Sequence, residues 1–182
     1  MLKESQLVLS ETVAKKAESL YRSRQHLCAD AMLLAFNGAF DGGLTEQQAV
    51  GLTSGMSIGQ GDSGCLCGAV ASGALVLGLF LGKDGAYRNA ATIRSAVNDL
   101  HTRFKRVNKS TCCRVLTKKV KDDQKAHFEQ CARYTGEAAG IVADILFERR
   151  PELIDRINQA YVTKHDSKTT GIIRLLFNRL FR

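Results

Sequence analysis

Proline occurs once in the 182 residues, as Pro151, and tryptophan not at all. A chain with a single proline has almost nothing to interrupt long helices. Strand patterns are missing too: apolar runs such as VLGLF at 76–80 sit among alanine and glycine and lack period-two alternation. No repeat, Pro/Ser-rich linker or low-complexity segment divides the chain, and its length fits one domain. The opening residues MLKESQLVLSETVAKK hold neither a secretory apolar core nor a small-residue cleavage site, so reducing cytoplasm is the expected compartment. Hydrophobic residues at 45% and charged residues at 24% are ordinary for a globular protein and exclude extensive disorder.

What is present is mostly helical period. Leu9, Val13, Ala17 and Leu20 recur at three- and four-residue spacing and predict a helix over 5–22. A second helix over about 26–39 carries Cys28, Ala31, Met32 and Ala35 on one face. Thr45 and Gln48 form a capping box for a third, TEQQAVGLTSGM. The glycine-rich GQGDSG follows, with Asp62 or Ser63 expected to cap an uncharged helix over 65–82. Lack of charge there invites a transmembrane reading, but Gly68, Gly73, Gly78 and Gly82 fit a small-residue helix inside a bundle better. Helices over 86–106 and 124–149 come next, with a short helix between them begun by Ser110 or Thr111, and Arg150-Pro151 opens another. The fold class is all-α: an antiparallel multi-helix bundle with a small-residue central helix, one domain over 1–165 and a basic amphipathic tail over 166–182.

The chain is rich in one residue: Cys28, Cys65, Cys67, Cys112, Cys113 and Cys131. In a reducing compartment such a set is more often metal-binding or redox-active than a disulfide framework. Cys65-Leu66-Cys67 and Cys112-Cys113 fall at expected helix starts, where the helix dipole and free N–H groups favour thiolate. Cys28 and Cys131 lie on apolar helix faces. Four thiolates can hold an iron–sulfur cluster or a zinc ion, and two can cycle between dithiol and disulfide. The spacing leaves these open, along with small cysteines packing helix crossings.

Cys67-Gly68-Ala69, Cys28-Ala29 upstream, and Cys113-Arg114-Val115-Leu116 and Cys131 downstream resemble a family of redox-active bacterial proteins named for its pattern, C-GCAxxG-C-C. The resemblance covers roughly residues 20–150. It implies a small all-helical redox protein whose four cysteines are Cys28, Cys67, Cys113 and Cys131. It also implies kinship with a module of split-Soret cytochromes, and through it an iron–sulfur site, of 2Fe-2S or 4Fe-4S type. Ser72 departs from the CGAxxG pattern, with Gly73 just after it. Cys65 and Cys112 are extra and could substitute as cluster-binding thiols, and no C-x-x-C-H is present for covalent haem.

Weaker signals surround these. His127 and Cys131 share a helix face at i,i+4, and His26 stands beside Cys28. Gly59–Gly64 has a phosphate loop's glycines without its lysine. Net charge is +8, and Arg103, Lys105, Arg106, Lys109, Arg114, Lys118, Lys119 and Lys121 come with no acid among them. They are expected to form a collar around Cys112 and Cys113 for an acidic redox partner, with nucleic acid ranked below for want of aromatics. Ile172, Leu176 and Leu180 stripe the tail, which suits packing on the bundle or in a homodimer, or a membrane-surface contact. The chemistry expected is electron transfer through an iron–sulfur cluster. The alternatives are a metal-free thiol–disulfide oxidoreductase or redox sensor, with zinc or no cofactor, and a non-catalytic helical interaction module.

Overall fold

Caps and period set the helices. A computed structural model of the chain describes residues 2–164 and 166. Five long helices build the bundle: α1 (Leu2–Arg22), α2 (Cys28–Phe40), α5 (Gly68–Leu81), α6 (Ala90–Asn108) and α8 (Gln124–Arg149). Shorter pieces connect them: α3 (Glu46–Thr53), α4 (Ser57–Gln60), α7 (Cys113–Thr117) and α9 (Gln159–Thr163). The expected capping box is present, with the Gln48 N–H donating to Thr45 Oγ1 at 3.2 Å and the Thr45 N–H to Gln48 Oε1 at 2.9 Å. Asp123 caps α8 through the Ala126 N–H, and Pro151 opens a short 3-10 helix over Pro151–Arg156. Among the described residues there is no strand, only one isolated antiparallel bridge between Leu66 and Cys112. No helix among them is long and apolar enough to cross a membrane. The tail beyond Asp166 lies outside the described residues.

α8 touches α1, α2, α5 and α6, and α5 touches α2, α6 and α8. The small-residue character of α5 is what allows this. A Cβ placed on Gly73 would stand 2.9 Å from Leu100 on α6 and 3.0 Å from Val142 on α8. Phe40 lies edge-on to both Phe80 and Phe147, at 5.9 and 5.8 Å, and ties α2, α5 and α8 together. Consecutive long helices run antiparallel, α1 with α2 and α5 with α6. As a result α2, α5 and α8 all begin at the end of the bundle where α1 and α6 finish.

One expectation about α5 needs correction. Neither Asp62 nor Ser63 caps it; Cys67 holds the N-cap position, without a side-chain cap bond. The glycine-rich segment before it turns left-handed. Ile58, Gly59, Gln60, Gly61 and Asp62 all have positive φ, between 56° and 70°, one left-handed turn. Two of the five are glycine; an isoleucine there is costly because its branched Cβ crowds the backbone.

Behind the bundle, the chain after α8 is strapped to α1 and α2. Lys16 is buried, and its ammonium donates to Asp166 Oδ2 at 2.8 Å and to the Lys164 carbonyl at 2.9 Å. It also sits 4.5 Å from the Tyr161 ring centre, and the Tyr161 hydroxyl donates to the Leu34 carbonyl.

Candidate functional site

The bundle end where three helices begin holds a cavity of about 410 Å³, and Cys28, Cys67, Cys113 and Cys131 all line it. Each comes from a different element: Cys28 is the first residue of α2, Cys67 caps α5, Cys113 opens α7, and Cys131 lies on α8. Tyr21, from the last turn of α1, and His127 complete much of the wall.

Local structure explains the convergence. Asp30, buried on α2, accepts from the Leu27 N–H and from the Thr53 hydroxyl, and so fixes both the start of α2 and the end of α3. A Cβ on Gly68 would lie 2.6 Å from Cys28 Sγ and 2.9 Å from the Met56 carbonyl oxygen, so only glycine lets α5 begin against that sulfur. The bridge at Leu66 and Cys112 brings the other pair in. The Cys67 N–H donates to the Thr111 carbonyl at 2.8 Å, and the Cys113 N–H donates to the Cys65 carbonyl. The left-handed turn closes underneath, with the Cys65 N–H donating to the Gly59 carbonyl at 2.9 Å.

Backbone amides point at the sulfurs. The Val70 and Ala69 N–H groups at the start of α5 act to lower the Cys67 thiol, and the Ile58 N–H, the Ser57 hydroxyl and the Ala29 N–H act to lower that of Cys28. The Tyr21 hydroxyl acts to lower the Cys131 thiol. These contacts favour thiolate, yet burial outweighs them. Desolvation, with the neighbouring Cys28 and Cys113 sulfurs, pushes the Cys67 and Cys131 thiols up to about 12. Burial, and the Cys28 and Cys112 sulfurs, push Cys113 up as well, and burial raises Cys28 despite its donors. At Cys67 and Cys113 the expectation that helix starts favour thiolate is thus reversed, because burial raises both thiols.

The two extra cysteines are placed differently. Cys65 is exposed and does not line the cavity. Cys112 does not line it either; its thiol donates to the Gly64 carbonyl at 3.3 Å. His127 lines the cavity and His26 does not. Among the described residues no three His, Cys, Asp or Glu side chains form a group that could hold a metal ion, although the four thiols line one cavity. The basic collar loses one member. Arg103 is taken up by Asp99 and Glu148, each through two hydrogen bonds of 2.7–2.9 Å, while Arg114, Lys118, Lys119 and Lys121 are exposed on and just after α7.

Sequence reasoning passed over Tyr21 and Ile58. Tyr21 extends the Leu9, Val13, Ala17 stripe by four residues, so a polar-tipped ring at the end of a buried stripe was its signal. Ile58 gives none, because β-branched residues are not expected at positive φ.

A helical bundle that brings four thiols from four elements to one cavity is a redox-type thiol protein in class. A family model described as "Putative redox-active protein (C_GCAxxG_C_C)" matches residues 26–145, and the chain belongs to this family. No curated protein and no solved structure matches it.

Proposed function

We propose that the cavity is the redox centre of an electron-transfer protein and that Cys28, Cys67, Cys113 and Cys131 hold an iron–sulfur cluster in it. The observation that carries this reading is four free thiols, each from its own element, lining one cavity. A single zinc ion, with bonds to sulfur of about 2.3 Å, draws its ligands to one point. A cavity of about 410 Å³ lined by all four thiols leaves room for a polynuclear cluster. The thiol pKa values are raised without a cation, whose binding would have to displace the protons. They weigh against a metal-free thiol–disulfide enzyme, whose attacking cysteine must ionise near neutral pH.

When bound, the cluster supplies one-electron chemistry. The protein's own groups do the rest. Gly68 makes room for Cys28 against α5, the Ala69 and Val70 N–H groups stabilise negative charge at Cys67, and Ile58 does the same at Cys28. Leu27 and Ile58 line the cavity while 45% and 49% exposed, and form an apolar lip. Beside it, exposed Arg114, Lys118, Lys119 and Lys121 favour an acidic partner protein as donor or acceptor.

The test is purification without oxygen, or reconstitution with iron and sulfide. A brown protein with thiolate-to-iron absorbance and stoichiometric iron and sulfide is expected. A colourless protein that takes up neither overturns the cluster, and a thiol count that changes with redox buffer then favours the disulfide reading.

A further inference from the structure

Cys65 and Cys112 are the cysteines that the cavity does not use. The short segments that carry them run antiparallel, and backbone contacts fix their register. On either side of the Leu66–Cys112 bridge, the Cys67 N–H donates to the Thr111 carbonyl and the Cys113 N–H to the Cys65 carbonyl. One step further, the Arg114 N–H donates to the Gly64 carbonyl at 2.9 Å, and a Cβ on Gly64 would stand 3.2 Å from the Arg114 Cβ. Cys65 is therefore directly opposite Cys113. Successive side chains of an extended pair alternate between its faces. Leu66 and Cys112 share one face, and the Cys112 thiol is engaged there by the Gly64 carbonyl at 3.3 Å. Cys65 and Cys113 share the other. Gly59 closes against both: a Cβ on it would lie 2.7 Å from the Cys113 Cβ and 2.9 Å from the Cys65 nitrogen. Opposed residues of such a pair have Cα atoms about 5.5 Å apart, inside the roughly 4.4–6.8 Å that a disulfide spans.

We propose that Cys65 and Cys113 form a reversible disulfide, a modification that takes Cys113 out of the cavity's thiol set under oxidising conditions. Cys65 is exposed and meets the oxidant, a small-molecule disulfide, first. Its sulfur attacks one sulfur of that disulfide and breaks the S–S bond. One small thiol leaves with the Cys65 proton, and a mixed disulfide remains on Cys65. The Cys113 sulfur then attacks the Cys65 sulfur and expels the second small thiol, which takes the Cys113 proton. This second step lies within one chain, between residues already held opposite each other. The two cysteines give up two electrons and two protons, and the small disulfide becomes two thiols. The inference rests on the register of the two segments and not on the cluster.

The test uses the full chain, freed of metal by a chelator, with oxidised glutathione as the oxidant. In Cys112→Ser, Cys113 is the one cysteine of the tryptic fragment 110–114. After oxidation and capping of free thiols with N-ethylmaleimide, tandem mass spectrometry should find this fragment joined to Cys65, and dithiothreitol should release it. In the parent, oxidation should abolish maleimide labelling of Cys113. In Cys65→Ser, labelling of Cys113 should survive the same treatment. A link from Cys113 to Cys28, Cys67 or Cys131, glutathione left on Cys65 alone, or no link at all overturns the proposal. Iron and sulfide uptake by the reduced protein is measured separately, so failure of the cluster and failure of the disulfide are told apart.

Discussion

At the Gly68 end of α5 the groups that meet are thiols, neutral and largely desolvated, met by backbone N–H groups and a left-handed turn. Around the Leu81 end and the neighbouring seam of α6 and α8 they are guanidinium and carboxylate groups, and these answer one another. Arg103 serves Asp99 and Glu148, and Arg150 serves Glu152, Asp84 and the Phe80 carbonyl. One end is complete as it stands. The other gathers four free thiols around a cavity, beside a run of five residues at positive φ. Chemistry belongs to the end whose groups await a partner, and robustness to the end whose groups already have one.

The largest effect should come from breaking the thiol set. Cys131→Ser is expected to abolish iron and sulfide uptake, because no other cysteine reaches the cavity from α8. Cys112→Ser and Cys65→Ser should retain most of it, since neither residue lines the cavity. Equal losses in all three would show that the extra pair ligates and that the cavity is not the centre.

Next comes pH. An unfolded thiol titrates near 8.5, whereas Cys67 and Cys131 are pushed up to about 12 in the fold. The folded state therefore holds more protons above the unfolded value. Its stability is full below about pH 8.5 and is lost as pH climbs towards 12. Urea unfolding of the metal-free protein should show this alkaline fall, and the Cys67→Ala/Cys131→Ala protein should show a shallower one. An equal slope in both proteins would mean that the thiols are not buried as described.

That asymmetry also explains what could be read from the residues. Periodicity located α8 to the residue, and the Thr45–Gln48 box located α3, because both signals are local. The four-cysteine set was legible through the motif around Cys67 and Gly68 and through the cysteine order. The sign of the thiol shifts was not: helix starts are local and visible, while desolvation is made by four elements closing together. Arg103 was misjudged for the same reason, since Glu148 is forty-five positions away in the chain. The turn at Ile58 was hidden because it goes against local preference.

Arg103→Ala should cost about 2 kcal/mol, as two carboxylates lose their shared, hydrogen-bonded cation. Cluster content and potential should remain unchanged if the two regions are independent. A shift in potential together with the melting temperature would show coupling along α6 and α8.

The smallest effect, and the sharpest on strain, concerns Ile58. Its φ of 56° is one that an isoleucine adopts only when its surroundings force it. The side chain is 49% exposed, so its truncation forfeits little burial. Glycine takes this backbone conformation without a Cβ penalty but has more freedom to lose on folding. Against a left-handed cost of about 1–2 kcal/mol per L-residue, the balance predicts that Ile58→Gly stabilises the protein by about 1 kcal/mol. The Ile58 N–H that acts to lower the Cys28 thiol survives the change, so iron uptake should too. Gly59→Ala is the opposing case. Its φ is 70°, and a Cβ there would stand 2.7 Å from the Cys113 Cβ, so it should destabilise the turn and displace Cys113. If thermal unfolding ranks Ile58→Gly below the parent, the left-handed turn is not strained at that residue. The thiol end would then be as relaxed as the arginine end, and the contrast between them would reduce to burial alone.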